Sequence, residues 1–375
     1  MKRCACEPRP DWRQRVEAQG LVFHTTRETG VYWSEGVYYE FTPAEADAID
    51  AATQELHARC LEAVAHVVEH RRYAELGIGE RAAAMVEASW RANAPTLYGR
   101  MDFAFGEGVP KLLEYNADTP TSVLEAAVIQ WTWLDEVRPG LDQQNVLHDK
   151  LIGAWRALAP RLPGVVHFAC GDDIEDAMTI GYLRDTAEQA GLATRGLMMH
   201  QVGWDARTGG LVDLEEQPIA HLFKLYPWEG LVTDKLASVL PSLPVTWLEP
   251  PWKLVLSNKA ILPILWELFP GHPNLLPAFR EPHPSLGSQY VKKPIFSREG
   301  ANVTIVGVEG ATSSGGRYGA EGHVYQTYAD LGDFGGVRPV VGGWVVAGES
   351  AGIGIRESDG FITSNFARFV PHAIG

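Results

Sequence analysis

The chain reads as a multilayer α+β protein, and three textures along it carry that reading. Residues 43–92 form an Ala- and Glu-rich stretch in which Ala and Leu recur at helical spacing. Residues 165–200 read as strand, helix and strand, the unit that builds a partly parallel sheet. From Tyr290 to Ile355, short β-rich segments are separated by glycines, as in antiparallel hairpins.

Taken in order, Thr42-Pro43 supplies an N-cap and a first-turn proline to the long helical stretch. From Leu97 the pattern changes. Arg100 to Phe105 alternates polar and apolar, Gly106-Glu107-Gly108 turns the chain, and Lys111 to Tyr115 returns. That hairpin carries Arg100, Asp102 and Glu114. A helix is predicted after Pro120, through Val123 to Trp133. Val165 to Cys170 is a short apolar strand, Gly171-Asp172-Asp173 is a turn and cap, and Ile174 to Gln189 is a helix closed by Gly191. Leu197 to His200 and His221 to Leu225 extend the sheet. A further helix is expected over Ser257 to Leu268, followed by a Pro- and His-rich stretch to Pro284. The β-rich segments are Tyr290–Ile295, Asn302–Val308, His323–Tyr328, Arg338–Val346 and Gly352–Ile355.

At 375 residues the chain has room for two or three domains, or one large one with insertions. Hydrophobic residues at 46% and charged residues at 21% exclude global disorder. Lys plus Arg number 32 and Asp plus Glu 47, a net charge of −15. Such a surface repels phosphate backbones and argues against nucleic acid as the main partner. Cys4, Cys6, Cys60 and Cys170 complete no zinc spacing and suit a reducing cytoplasm. The N-terminus is charged and poor in apolar residues, unlike a secretory leader. The longest apolar stretch, Ala260 to Phe269, is cut by Pro263 and Glu267 and falls short of the roughly 20 residues of a membrane span. A cytoplasmic protein without membrane partners is expected.

Two motifs suggest chemistry that their contexts do not support. Gly348-Glu349-Ser350-Ala351-Gly352 matches a serine-hydrolase elbow, with Asp359 and His372 following in order. That elbow needs a helix after the serine, whereas Ile353 and Ile355 alternate as in a strand. His66-Val67-Val68-Glu69-His70 has the spacing of an inverted zincin, but it is also the polar end of an amphipathic helix. Neither a Walker A sequence nor a full G-x-G-x-x-G is present.

One constellation remains. On paired strands Asp102, Glu114 and Asn116 can share a face, and two carboxylates with an amide oxygen suit a hard cation. Lys259 opens an apolar helix. In Tyr290-Val-Lys-Lys-Pro-Ile, alternation forces either Lys292 or Lys293 inward. Ser297 to Asn302 is a small-residue turn able to lay backbone N–H groups over phosphates. Together these describe an ATP-binding enzyme without a P-loop.

The chain resembles the synthetase domain of the bacterial glutathionylspermidine synthases, within the ATP-grasp superfamily. The match runs through Tyr98-Gly-Arg-Met-Asp-Phe, Leu113-Glu-Tyr-Asn-Ala-Asp-Thr-Pro-Thr, Glu249-Pro-Pro-Trp-Lys and Ser257-Asn-Lys-Ala-Ile-Leu-Pro. It continues through Tyr290-Val-Lys-Lys-Pro-Ile, Gly354-Ile-Arg-Glu and Arg368-Phe-Val-Pro-His, in family order. The resemblance implies a circularly permuted ATP-grasp fold with an inserted α/β substrate domain, in a stand-alone synthetase-like protein without the amidase domain. Residues 1–160 would hold the helical region and the metal-binding hairpin. Residues 161–250 would form the substrate-binding region, and 251–375 the nucleotide-binding region with a mobile loop.

It further implies a carboxylate–amine ligase that uses ATP and Mg2+ to form an amide through an acyl phosphate. By position, Asp102, Glu114 and Asn116 correspond to magnesium ligands, and Arg100 and Arg356 to catalytic arginines at the reacting phosphate. Lys259 and Lys293 correspond to ATP-phosphate lysines, Arg298, Gly300 and Ala301 to the mobile loop, and Gln326 to the adenine-side hinge. Glu175 and Asp176 fall where the family holds its polyamine. Helix caps are the other reading of the Asp172–Asp176 carboxylates. Thr119, Pro120 and Thr121 depart from the family's serine-rich segment, which leaves the acid substrate open: glutathione, another small peptide or an amino acid. Lys224 to Glu229 is a candidate substrate wall or part of the core. A nucleotide-binding protein without ligase activity, acting through partners, is the alternative reading.

Overall fold

The computed structural model describes residues 1–26, 30–307, 310–364 and 367–375. Its centre is a five-stranded antiparallel sheet in the order Arg368–Val370, Glu349–Ser358, Arg338–Val346, Tyr98–Ala104 and Lys111–Asn116. Strand alternation gives this sheet two faces. Met101, Phe103, Val341 and Val345 join the core that includes Ile49, Leu56 and Val64 of the long helix Pro43–Glu69. The approach is close: a Cβ at Gly343 would overlap Thr53 of that helix. The opposite face carries Arg100 and Asp102, with Tyr98 and Trp344 stacked farther along it.

The long helix starts as predicted. Thr42 accepts from the Glu45 backbone and Glu45 from the Thr42 backbone, a reciprocal capping box. It does not run on to residue 92. Arg71 takes a left-handed conformation at φ 52°, a short 3-10 turn follows, and a second helix spans Glu80–Arg91. The predicted 123–133 helix extends to Val137 and contains a π-helical turn at Glu125–Ile129.

A second sheet is wholly parallel, in the order Thr246–Leu248, His221–Leu225, Val165–Cys170 and Ala193–Met198. Helix Ile174–Gln189 crosses between its last two strands, and Asp173 caps that helix by accepting from the Glu175 backbone at 2.8 Å. The expected strand at Leu197–His200 lies earlier, at Ala193–Met198, and Met199–Gln201 is a helical turn. A third, antiparallel sheet runs Ala278–Phe279, His323–Thr327, Tyr290–Pro294, Thr304–Gly307 and Gly310–Ser313. The expected Asn302–Val308 strand is thus shorter, and Val308 lies outside the described residues. The expected Ser257–Leu268 helix begins only at Ile261. Residues 257–260 form a turn, in which Asn258 accepts from the Ala260 backbone and donates to the Leu76 carbonyl. No helix among the described residues is long and apolar enough to cross a membrane.

The two decoy motifs resolve. Ser350 sits inside the strand Glu349–Ser358, Asp359 pairs with Arg368, and His372 is fully buried against Gln130. His66 and His70 stack on each other at 4.2 Å at the helix end. No group of three or more His, Cys, Asp or Glu among the described residues is placed to hold a metal.

A buried ion pair joins the central sheet to the parallel one. Asp118, just past the hairpin, accepts from Lys224 Nζ at 2.5 Å and from the Trp228 backbone at 2.9 Å. Both charged side chains are fully buried. Removing one partner of such a pair leaves an uncompensated charge and costs about 3–5 kcal/mol. Lys224→Met is therefore expected to lower the urea unfolding midpoint markedly at unchanged slope. A midpoint equal to that of the wild type would show that the pair does not hold the sheets together.

Candidate active site

The site is built on the hairpin. Its first strand is fixed at one end by Glu249, a fully buried carboxylate. Glu249 accepts from the Leu97 and Tyr98 backbones at 2.9 and 3.0 Å, and from the Thr96 hydroxyl. Lys253 pairs with Glu249 at 3.0 Å and donates to the Tyr98 carbonyl at 2.7 Å. Register then sets the chemistry. Arg100 lies opposite Asn116 and Asp102 opposite Glu114, so four polar side chains share one face. A bulge follows, in which Phe103 pairs with Leu112 and Leu113 is left over. The Leu113 carbonyl accepts from Lys293 Nζ at 3.0 Å.

Asp102 is the hub. It accepts from Arg100 Nε at 2.8 Å and from Arg356 Nη2 at 2.6 Å. Arg356 reaches it from the strand Glu349–Ser358, across the intervening strand Arg338–Val346. Gly342 stands opposite Asp102 in that intervening strand, and a Cβ there would sit 3.0 Å from Arg100 Cδ. Asn116 Nδ2 donates to both Asp102 and Glu114, at 3.2 and 3.1 Å. Lys259 Nζ pairs with Glu114 at 2.9 Å and donates to the Ser297 carbonyl. Alternation puts Lys293, not Lys292, inward, where it donates to Gln326 Oε1 at 2.7 Å. Gln326 in turn donates to the Leu112 carbonyl at 2.9 Å, bridging the lysine strand to the hairpin.

Burial and charge set the protonation states. Burial works to raise the Glu114 carboxyl, but the Lys259 and Lys293 ammonium groups override it and hold Glu114 well below the usual range. Burial depresses Lys293 to about 8, with the nearby Glu114 opposing. Asp176 is pushed up to about 7 by burial and by the adjacent charges of Asp173 and Glu175.

These residues surround one cleft of about 310 Å3. Every site residue expected from the sequence lines it except Ala301. Arg298 donates to Glu229 at 2.6 and 2.9 Å and to the Thr119 hydroxyl at 2.7 Å, which closes the loop over the Thr119–Thr121 turn. Gly300, at φ 69°, lies so near Thr363 that a Cβ would overlap its carbonyl oxygen. Glu175 and Asp176 face the cleft, whereas Asp173 is the helix cap and Asp172 pairs with His200. The capping reading of that carboxylate run thus holds for Asp173 alone. Of the suggested wall Lys224–Glu229, only Leu225 and Pro227 line the cleft. Lys224 and Trp228 are core.

Sequence reasoning missed a second cluster at the acidic end. Tyr32 and Ser122 line the cleft, and the Tyr32 hydroxyl donates to buried Glu125 at 2.7 Å. Ser122 is left-handed at φ 68°, and Glu125 opens the π-helical turn. Two backbone irregularities within four residues at a cleft wall are a functional signal, but one that sequence periodicity does not show.

Residues 3–375 match the family described as "Glutathionylspermidine synthase preATP-grasp", and the chain belongs to that family of acid–amine ligases. It is 40% identical, over 99% of both chains, to a Haemophilus influenzae protein named "Putative acid--amine ligase". It is 31% identical over 82% of its length to trypanothione synthetase of Crithidia fasciculata. Identity is also 31%, over 77% of its length, to the bifunctional glutathionylspermidine synthetase/amidase of Escherichia coli. It spans about half of those two relatives, 52% and 51%. Its mixed α+β fold resembles that of a glutathione synthetase-like effector from Globodera pallida, with a TM-score of 0.56 and 10% identity over 99% of this chain and 100% of that one.

Burial raises the Glu125 carboxyl to about 7, the Tyr32 hydrogen bond opposes, and Glu175 adds to the rise. A carboxyl raised in the folded state binds protons more tightly there than in the unfolded chain, so its contribution to stability is lost as pH rises from about 4.5 to about 7. Glu125→Gln does not titrate. The stability of the variant relative to wild type should therefore rise across that interval, as read by urea unfolding. A difference independent of pH would refute the raised carboxyl.

Proposed function

We propose that the chain is an ATP- and Mg2+-dependent carboxylate–amine ligase that forms an amide through an acyl phosphate. The observation that carries this reading is the convergence of Arg100, Asp102, Glu114, Asn116 and Arg356 from one sheet, Lys293 from another, and Lys259 from the turn before the Ile261–Leu268 helix, on one cleft. A circularly permuted ATP-grasp fold accounts for the chain order, with the hairpin preceding the lysine sheet and the parallel sheet inserted between them. The division at residues 160 and 250 follows from that reading.

The cleft has three regions with distinct chemistry. Leu113, Val291, Ile305, Leu331 and Val340 give an apolar slot for a purine, beside Gln326 and Thr327. Lys259, Lys293, Arg100 and Arg356 face the phosphates. Glu175 and Asp176 lie at the acidic end, with Thr119 and Thr121 nearby, and suit an amine that arrives as a cation. The two carboxylates and the Asn116 amide fit a magnesium ion, a hard cation that takes oxygen ligands and completes its shell from phosphate and water. When bound, that ion neutralises phosphate charge.

The remaining roles belong to this chain's own residues. Phosphoryl transfer needs positioning and charge neutralisation more than covalent help. The lysines hold the phosphates, and Arg100 and Arg356 stabilise charge on the transferring group. The substrate carboxylate oxygen bonds to the γ-phosphorus and ADP leaves. The amine nitrogen then bonds to the acyl carbon, phosphate leaves and the ammonium proton is lost. The closed Arg298–Ala301 loop excludes water, which would otherwise hydrolyse the acyl phosphate. The acid is a small peptide or amino acid, and the amine a polyamine or related amino compound.

The test is phosphate release from ATP with panels of small acids and amines. Asp102→Ala should lower magnesium-dependent turnover by on the order of 10²–10³, the scale for loss of one group that stabilises transition-state charge. Full turnover in that variant would overturn the assignment.

A further inference from the structure

The proposed metal ligands are already occupied by the chain itself. Asp102 Oδ1 accepts from Arg100 Nε at 2.8 Å, and Oδ2 from Arg356 Nη2 at 2.6 Å, Asn116 Nδ2 at 3.2 Å and Arg100 Nη2 at 3.3 Å. Glu114 Oε2 meets Lys259 Nζ at 2.9 Å, and Oε1 accepts from Asn116 Nδ2 at 3.1 Å. All four carboxylate oxygens are taken. Asn116 turns its amide nitrogen, not its oxygen, to both acids. Around these two carboxylates stand four cations, Arg100, Arg356, Lys259 and Lys293. The cluster is therefore net positive. It repels a bare divalent cation and attracts a polyphosphate. Two carboxylates are also too few ligands for magnesium unless a substrate adds phosphate oxygens.

We propose that Arg356 and Lys259 are placeholder cations, standing on Asp102 and Glu114 until nucleotide phosphates draw them away, so that the metal binds only with the nucleotide. This rests on the reading of Asp102, Glu114 and Asn116 as the metal ligands. Drawing off the two cations frees Glu114 Oε2 and removes the shortest contact on Asp102 Oδ2, which keeps only the long 3.3 Å contact from Arg100 Nη2 besides the Asn116 amide. A half-turn of the Asn116 amide then replaces its nitrogen with a third oxygen at the same point, without backbone movement. Arg100 stays in place, since its Nη1 also donates to the Thr121 carbonyl at 2.8 Å. Nucleotide thus both removes the competing charges and supplies the missing ligands.

The probe is manganese(II) on the full chain, read by water-proton relaxation, which is enhanced when the ion tumbles with the protein. It is measured with and without a non-hydrolysable ATP analogue. Wild type should bind manganese at least about tenfold more tightly with the analogue, a modest effect for like charges at this range. The analogue should bind without metal. Arg356→Gln and Lys259→Gln should each strengthen manganese binding without the analogue, and Asp102→Asn should weaken it in both conditions. Arg356 is partly exposed, at 22% of its side chain, so its replacement leaves the core untouched. Manganese held equally tightly with and without the analogue, and released by Asp102→Asn, would overturn the placeholder role while keeping the metal site. No manganese binding in either condition would overturn the metal assignment and the inference with it.

Discussion

The Asp118–Lys224 pair is the joint on which the site depends. It lies beyond the reach of water, between the end of the hairpin and the middle of the parallel sheet. Burial depresses the lysine, and the Asp118 charge opposes that depression. A second buried pair, Glu249 with Lys253, fixes the chain where it enters the hairpin's first strand. Between these anchors the chain has no freedom of register. A slip of one residue would move Arg100 and Asp102 to the face covered by the long helix. Buried charges are costly to desolvate, so their use here is an argument for geometric specificity rather than for stability.

The same sheet explains how distant parts of the chain meet. Arg356 is 254 residues from Asp102, yet only one strand separates theirs. That strand has Gly342 opposite Asp102, where a side chain would press on Arg100. The cleft brings arginines and lysines together with Glu175 and Asp176, and buried Glu125 lies behind Tyr32 of its wall. Burial, with added repulsion from Glu175 on Glu125 and from Asp173 and Glu175 on Asp176, pushes each to about 7. A substrate ammonium would relieve that repulsion, just as phosphate would relieve the crowding of cations.

Much of this was legible in the sequence because it rests on local pattern. The hairpin is read from alternation and a Gly-Glu-Gly turn. The strand Val165–Cys170 and helix Ile174–Gln189 match their predicted bounds, since an apolar run and a capped, Gly-terminated helix are local signals. What was not legible depends on tertiary partners. Asn258 breaks the expected helix because it bonds Leu76, which no spacing reveals. The strand expected at Leu197–His200 instead spans Ala193–Met198, because Val165–Cys170 pairs with that stretch along its whole length. Tyr32 reaches the cleft from a segment 90 residues before Ser122, so the Tyr32–Ser122–Glu125 cluster exists only in the fold.

The central claim is that the cation ring with its two carboxylates is a nucleotide–metal site. The most direct measurement is the melting temperature with a non-hydrolysable ATP analogue, with and without magnesium. Ligand at about 100 times its Kd adds about 2.7 kcal/mol, which for a chain of this length is a shift of a few degrees. The account predicts a shift with the analogue that grows when magnesium is added. No shift at millimolar analogue with magnesium present would contradict it.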